Sequence, residues 1–272
     1  MQTTNIAAYK FIFLTELPAL RAAILEKCLV LQLRGTVLLS EEGINLNLSG
    51  TKAAIAEFQT FLLADIRFAD MTFRTSFSSG QPFKFMKVKI RKEIITMRRP
   101  EVRAADARAQ GLAPHELKKW LDENRDITIL DTRNDYEVRF GTFKNATHFE
   151  IKDFSEFPAV AEKKLTPEKP IVMFCTGGIR CEKAALHLQN AGFPEVYQLD
   201  GGILNYFSEV GGAHYDGECF VFDQRVSVDA SLQVTGTLQC TVCNGPVSEA
   251  QQMSAQFIPG VSCPVCAHQQ VS

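Results

Sequence analysis

The sequence predicts an α/β protein in three parts, on three observations. Residues 1–100 run in the order strand, helix, strand, strand, helix, strand. Residues 115–212 alternate short apolar strands with helices. Residues 213–272 carry four cysteines in two Cys-x-x-Cys pairs. A length of 272 residues, 46% hydrophobic and 22% charged, suits two or three globular domains of ordinary size.

In the first part, the apolar and aromatic run 8–14 is a strand. Pro18 opens a helix through about Lys27, with Leu20, Ala23, Ile24 and Leu31 spaced for one face. Strands at 35–39 and 44–48 flank Glu41-Glu42-Gly43, a hairpin signal. In the second of them Ile44, Leu46 and Leu48 alternate with Asn45 and Asn47, so one face is buried and one wet. A helix at 52–63 and strands at 71–77 and 85–95 complete βαββαβ, the ferredoxin-like (acylphosphatase-like) unit. Residues 101–114, Ala-rich and polar, read as a linker. In the second part, 127–131 and 171–174 are continuous apolar runs suited to buried parallel strands. Helices are expected at 114–124, 136–140 and 180–191, the last stopped by Gly192. Strands alternating with helices indicate a parallel sheet. The tail has strand-like pieces within 220–228.

No apolar run reaches the roughly 18 residues of a membrane span, and the first residues lack the basic start of a signal peptide. A cytoplasmic, reduced protein is expected, and the layout of the eight cysteines agrees with it. The net charge of −2 excludes a globally basic nucleic-acid binder. Locally, residues 84–100 hold seven bases (Lys84, Lys87, Lys89, Arg91, Lys92, Arg98, Arg99) against Glu93. Two readings stand: a phosphate-contacting stripe for a polyanion, or a strand edge kept from aggregating by its lysines. Phe83 and Phe85, in or beside the stripe, suit base stacking or, more commonly, a core.

The sharpest chemical signal is Cys175-Thr176-Gly177-Gly178-Ile179-Arg180-Cys181. A buried strand ends at Cys175 and a helix starts near Arg180. The turn between them aims backbone N–H groups and the helix N-terminal dipole at one point. Such an anion cradle lowers the pKa of a cysteine at its rim, and Arg180 adds a fixed charge. Four residues separate Cys175 from Arg180, a tighter loop than the C-x5-R of cysteine phosphatases. Cys181 is placed either to resolve a disulfide or persulfide on Cys175 or merely to fill a helix face.

This loop resembles that of the rhodanese domain. Asp131-Thr132-Arg133, Tyr136-Glu137 and Gly141 resemble its early signature, and Asp200-Gly201-Gly202-Ile203 its closing element. Asp131 and Arg133 are thereby supporting residues of the site. One departure is Gly141-Thr142-Phe143-Lys144-Asn145-Ala146, where most members carry Gly-His-Ile-Pro-Gly-Ala, a difference expected to alter a turn. With residues 182–184, Ser40-Glu41-Glu42-Gly43-Ile44-Asn45 and residues 217–226 added, the whole chain resembles the oxygen-dependent tRNA uridine(34) hydroxylases, a rhodanese-domain family. The resemblance implies conversion of the wobble uridine to 5-hydroxyuridine with molecular oxygen as co-substrate, a tRNA anticodon loop as partner, and Cys175 as the active cysteine.

Oxygen chemistry is usually recruited through iron, copper or a flavin. The sequence has no flavin, haem or nicotinamide signature, and His115, His148, His187, His214 and His268 are read as structural or exposed residues. The hypothesis that follows is addition of the Cys175 thiolate to uracil C6, making C5 electron-rich; a Cys175 persulfide is the competing route. Cys240, Cys243, Cys263 and Cys266 have the spacing of a structural zinc site. Three functions remain in view: wobble-uridine hydroxylase, sulfurtransferase, and a non-catalytic redox-sensitive RNA-binding module. The sequence names no protein partner.

Overall fold

The structure is a computed structural model and describes residues 2–267. The chain forms two compact units, Met1–Arg108 and Ala109–Ser272.

The first unit contains β1 (Thr3–Phe11), α1 (Leu17–Val30), β2 (Arg34–Ser40), β3 (Gly43–Gly50), α2 (Lys52–Leu63), β4 (Arg74–Ser78) and β5 (Met86–Ile90). Its sheet has the order β4-β1-β3-β2-β5, with β1 central enough to pair on both sides. Ile44, Leu46 and Leu48 are fully buried together with Val37, Leu39, Phe58 and Phe68. Each such side chain contributes about 1.5–3 kcal/mol. Helix α2 starts where Thr51 accepts a hydrogen bond from the Ala54 amide.

Three strand boundaries differ from the sequence reading. β1 begins at polar Thr3, because β3 and β4 both offer it ladder partners that its own side chains do not announce. β4 starts at Arg74, where pairing with β1 begins, not at 71. β5 ends at Ile90 rather than 95, since its partner β2 runs out at Ser40. Beyond that point the Glu42 carboxylate takes the Ile94 amide, and Glu93 takes those of Met97 and Arg98.

The second unit contains β6 (Gln110–Leu112), α3 (Pro114–Asp122), β7 (Thr128–Asp131), α4 (Asp135–Val138), β8 (Gly141–Phe143), β9 (Thr147–His148), α5 (Phe157–Lys164), β10 (Ile171–Phe174), α6 (Ile179–Asn190), β11 (Val196–Leu199), α7 (Gly202–Val210), β12 (Tyr215–Gly217), β13 (Cys219–Phe220), β14 (Ser227–Val228), β15 (Leu238–Gln239), β16 (Pro246–Val247), α8 (Glu249–Gln252) and α9 (Pro264–Ala267). The central sheet, β6-β11-β10-β7-β9, is parallel throughout.

Two boundaries need correcting here. The stretch 101–114, read as linker, contains β6, whose pairing with β11 makes it a sheet edge; three residues with a glycine carry too little pattern to announce a strand. The tail does not separate at 213. β12 pairs with β8, and Tyr215, Cys219, Val221 and Val228 share a core with Phe143, Phe174, Ile203 and Tyr206. Further on, Cys240, Val247, Cys263 and Cys266 cluster around their own small core. The altered turn at 141–146 is absorbed by Asn145, which sits at φ 60, a left-handed conformation that Asn tolerates better than most residues. Among the described residues no helix is long and apolar enough to cross a membrane.

Candidate active site and cysteine cluster

β10 is buried along its whole length and delivers Cys175, 1% exposed, to the start of a sharp turn. Gly178 makes that turn at φ 102, open to glycine at little cost, and α6 begins at the next residue. The loop carbonyls are held from the other side. The Ile203 amide donates to the Cys175 carbonyl at 3.0 Å, and the Leu204 amide donates to that of Thr176 at 3.2 Å. This contact explains the glycine at 202, where a Cβ would lie 2.3 Å from the Cys175 carbonyl oxygen. With those carbonyls tied to α7, the loop amides turn toward the sulfur, and the Gly178 N–H donates to Cys175 Sγ at 3.1 Å.

Arg180 is nearly buried and chelated by fully buried Glu137, with Nη1–Oε1 2.6 Å and Nη2–Oε2 2.7 Å. Glu137 also accepts the Asn134 amide at the start of α4. Cys181, fully buried, sits 3.7 Å from Thr132 Oγ1 and hydrogen-bonds Cys175. Burial is the largest influence on Cys175 and pushes its pKa up. The Cys181 hydrogen bond, the Arg180 charge and the amides of Arg180 and Gly178 outweigh it and hold the thiol at about 5. Burial and the neighbouring Cys175 push Cys181 the other way, well above the usual thiol range. At neutral pH the pair is one thiolate and one thiol, the thiol donating. A third cysteine, Cys219, interacts with Thr176 and is pushed up to about 12, chiefly by burial.

The structure thus brings Cys175, Thr176, Gly177, Gly178, Ile179, Arg180 and Cys181 onto one loop and helix start. Asp131 and Arg133 form a separate, fully buried ion pair at 2.6 Å; Arg133 also donates to the Gly141 carbonyl, and Thr142 donates to Asp131. They brace the strand ends around the loop. Glu137, Thr132 and Cys219 entered the sequence reading only as members of the motifs that carry the family resemblance, with no role in the site assigned to them. A weak sign of Glu137 was present, since Asn134 and Glu137 have capping-box spacing, but its grip on Arg180 spans 43 residues.

The basic stripe lies in the first unit, on edge strand β5 and the segments on either side of it. Lys84, Lys87, Arg91, Lys92 and Arg98 are exposed; Lys89 and Arg99 are half-buried. Phe83 is half-buried. Phe85 is exposed, with Lys87 Nζ 5.9 Å from its ring centre, because it falls on the strand face opposite buried Val88. The histidines are dispersed: His115 faces Glu209, His187 faces Glu162, His214 bonds Asp122, and His148 ends β9. His268 lies outside the described residues.

The sulfurs of Cys240, Cys243, Cys263 and Cys266 all lie within 4.8 Å of one another, with Cys240–Cys266 at 3.9 Å and Cys243–Cys263 at 3.7 Å. A tetrahedron with Zn–S near 2.3 Å has S–S edges of about 3.8 Å, so the donor set fits a metal ion such as zinc. Arg139 ties this cluster to α4 through the Cys243 carbonyl.

Residues 3–94 match the model of the UPF0176 acylphosphatase like domain, and residues 113–209 that of the rhodanese-like domain. A tRNA uridine(34) hydroxylase of Cupriavidus taiwanensis is 51% identical over 273 residues, 98% of this chain and 97% of that protein. One from Ralstonia nicotianae is 50% identical over 277 residues, 99% of this chain and 98% of that protein. The solution structure of a rhodanese-like domain from Anabaena sp. is 25% identical, covering 40% of this chain and 80% of that domain, with a TM-score of 0.35. With half of its residues shared over nearly the full length of such relatives, the chain belongs to the tRNA uridine(34) hydroxylase family.

Proposed function

We propose that this protein hydroxylates the wobble uridine of tRNA at C5, with Cys175 as nucleophile and molecular oxygen as co-substrate. The observation that carries the chemistry is the cradle around Cys175, where the Gly178 N–H donates to Sγ at 3.1 Å and Arg180, fixed by Glu137, lies beside it, an arrangement that favours the thiolate. The relatives' printed activity supplies the substrate. Addition of Sγ to C6 breaks the C5–C6 double bond and places the electron pair at C5, conjugated with the C4 carbonyl. After oxygenation, loss of the C5 proton and expulsion of Sγ restore the double bond and the thiolate. Molecular oxygen supplies the hydroxyl oxygen, its other atom leaving as water with two electrons and two protons from an external reductant. The lysine and arginine stripe Lys84, Lys87, Lys89, Arg91, Lys92, Arg98 and Arg99 contacts tRNA phosphates, and the protein works in the cytoplasm.

Mass spectrometry of tRNA nucleosides from a deletion strain tests the reading. Loss of 5-hydroxyuridine derivatives, restored by the intact protein and not by Cys175→Ser, is expected. Loss of 2-thiouridine instead would identify a sulfurtransferase working through a Cys175 persulfide, and an unchanged nucleoside profile would leave a non-catalytic module. A covalent adduct with tRNA carrying 5-fluorouridine is the accompanying sign of C6 addition, absent in Cys175→Ser.

The four-cysteine site holds zinc in a structural role, since four protein donors leave no open position. A chelator is expected to release one zinc per chain and open residues 238–267 to proteolysis, because the core beneath is small. Metal analysis and limited digestion check this; an unchanged digestion pattern after full zinc loss would refute a structural metal.

A further inference from the structure

The Phe222 side chain is 56% exposed, yet it is not free to wander. Its ring centre lies 5.8 Å from the Arg180 guanidinium carbon. It meets Phe220 edge-on at 5.2 Å and 88°. Phe220 in turn packs edge-on against Tyr136 at 5.4 Å and tilted against Phe140 at 5.1 Å. Behind these rings, the Phe220 carbonyl accepts from Thr176 in the cysteine loop at 3.5 Å. On the next turn Asp223 and Arg225 form an ion pair at 2.6 Å that fixes the chain just past Phe222. A row of aromatic rings therefore runs from the core of this unit to the rim of the Cys175 loop and ends in an open ring.

A scattered exposed Phe on a protein surface calls for no explanation. This one is positioned by groups that belong to the site. Arg180 cannot swing away, because Glu137 chelates it. The ring beside it is thus held at a set place relative to the cradle around Sγ. A uracil drawn out of an anticodon loop loses the stacking of its neighbours, and a flat apolar ring restores it.

Resting on the function proposed above, we propose that Phe222 is the stacking platform for the wobble base, receiving the extruded uracil on its open face and presenting its C5–C6 edge to Cys175. The ring is a positioning residue. It discriminates little between bases, since every base has a π face, so recognition of uracil itself falls to other contacts.

The test is binding of anticodon stem-loop RNA carrying either a wobble uridine or an abasic wobble nucleotide, with Cys175→Ser protein so that no turnover intervenes. With Phe222 present, removing the base is expected to weaken binding about 5- to 150-fold, the usual worth of one stacked base. Phe222→Ala and Phe222→Leu lose most of that difference, the remainder being what the other uracil contacts supply, while Phe222→Trp keeps it. Phe222→Leu fills similar space over Arg180 but lacks a π face, and an unchanged melting temperature shows that the variant is folded. With Cys175 restored, Phe222→Leu lowers kcat/KM by a similar factor without moving the pH inflection set by the thiolate. Full base-dependent affinity in Phe222→Leu would overturn the assignment, as would its loss on Phe85→Ala instead. If protein with Cys175 hydroxylates the stem-loop while Phe222→Leu retains that affinity, only the stacking role falls. If the uridine stem-loop is neither bound nor hydroxylated, the functional reading falls and the stacking role with it.

Discussion

Replacing Arg180 with Gln is expected to lower kcat/KM at pH 7 by about tenfold to a hundredfold and to make the remaining activity climb with pH. Burial alone pushes Cys175 upward, and Arg180 is one of the groups that oppose it. The substitution removes that cation and leaves the Glu137 carboxylate buried and uncompensated nearby. Both effects move the thiol back toward its ordinary value of 9.0. A thiol of pKa 8 to 9 is about 10% to 1% ionised at pH 7, which sets the expected factor. In the unaltered protein, with the thiol at about 5, kcat/KM is flat above roughly pH 6 and falls as pH drops through 5. In Arg180→Gln the same limb lies between roughly pH 7 and 9. The difference in thiolate absorbance between each protein and its Cys175→Ser counterpart measures the shift without substrate. The double variant Arg180→Gln/Glu137→Gln removes both charges and is expected to recover stability and part of the rate. An inflection still near 5 in Arg180→Gln would show that the loop amides and Cys181 suffice.

Arg133→Ala is expected to destabilise the second unit by about 3–5 kcal/mol, because it strands the Asp131 carboxylate in a site with no solvent access. For a unit of this size that is a fall of roughly 10 °C in melting temperature. The same local motif supplies its own control. Asp65-Ile66-Arg67 and Asp131-Thr132-Arg133 share one geometry, in which the arginine amide and Nε both donate to Oδ1 and Nη2 donates to Oδ2. The side chains of the first pair are about one-third exposed, whereas those of the second are wholly buried. Arg67→Ala is therefore expected to cost only about 0–1 kcal/mol. Thermal melts of the two variants check the contrast; equal losses would show that the pair geometry, rather than burial, sets the energy.

Much of the frame was legible in the chain. The alternation Ile44, Leu46, Leu48 marks a half-buried strand by side-chain period alone, and Lys52–Leu63 matches its predicted span because Thr51 caps it. Apolar run 171–174 is the buried strand expected. Elements that local pattern did not announce are those stabilised from outside. β6 exists through its pairing with β11, and β12 through its pairing with β8. The extension of β1 back to Thr3 has the same origin, since backbone ladders accept polar side chains wherever partners are supplied.

By itself the sequence determined the local devices: the C-x4-R turn with glycines at 177 and 178, and the two Cys-x-x-Cys pairs whose sulfurs come within metal-binding reach. These depend on neighbours a few residues apart, where chain geometry leaves few choices. Tertiary structure decided what those devices do. It supplied Glu137 to fix Arg180, Ile203 and Leu204 to turn the loop carbonyls aside, and Phe222 as an open ring at the rim. Buried charge and desolvation act through space, between groups tens of residues apart, and only the packed chain brings such groups within reach of one sulfur.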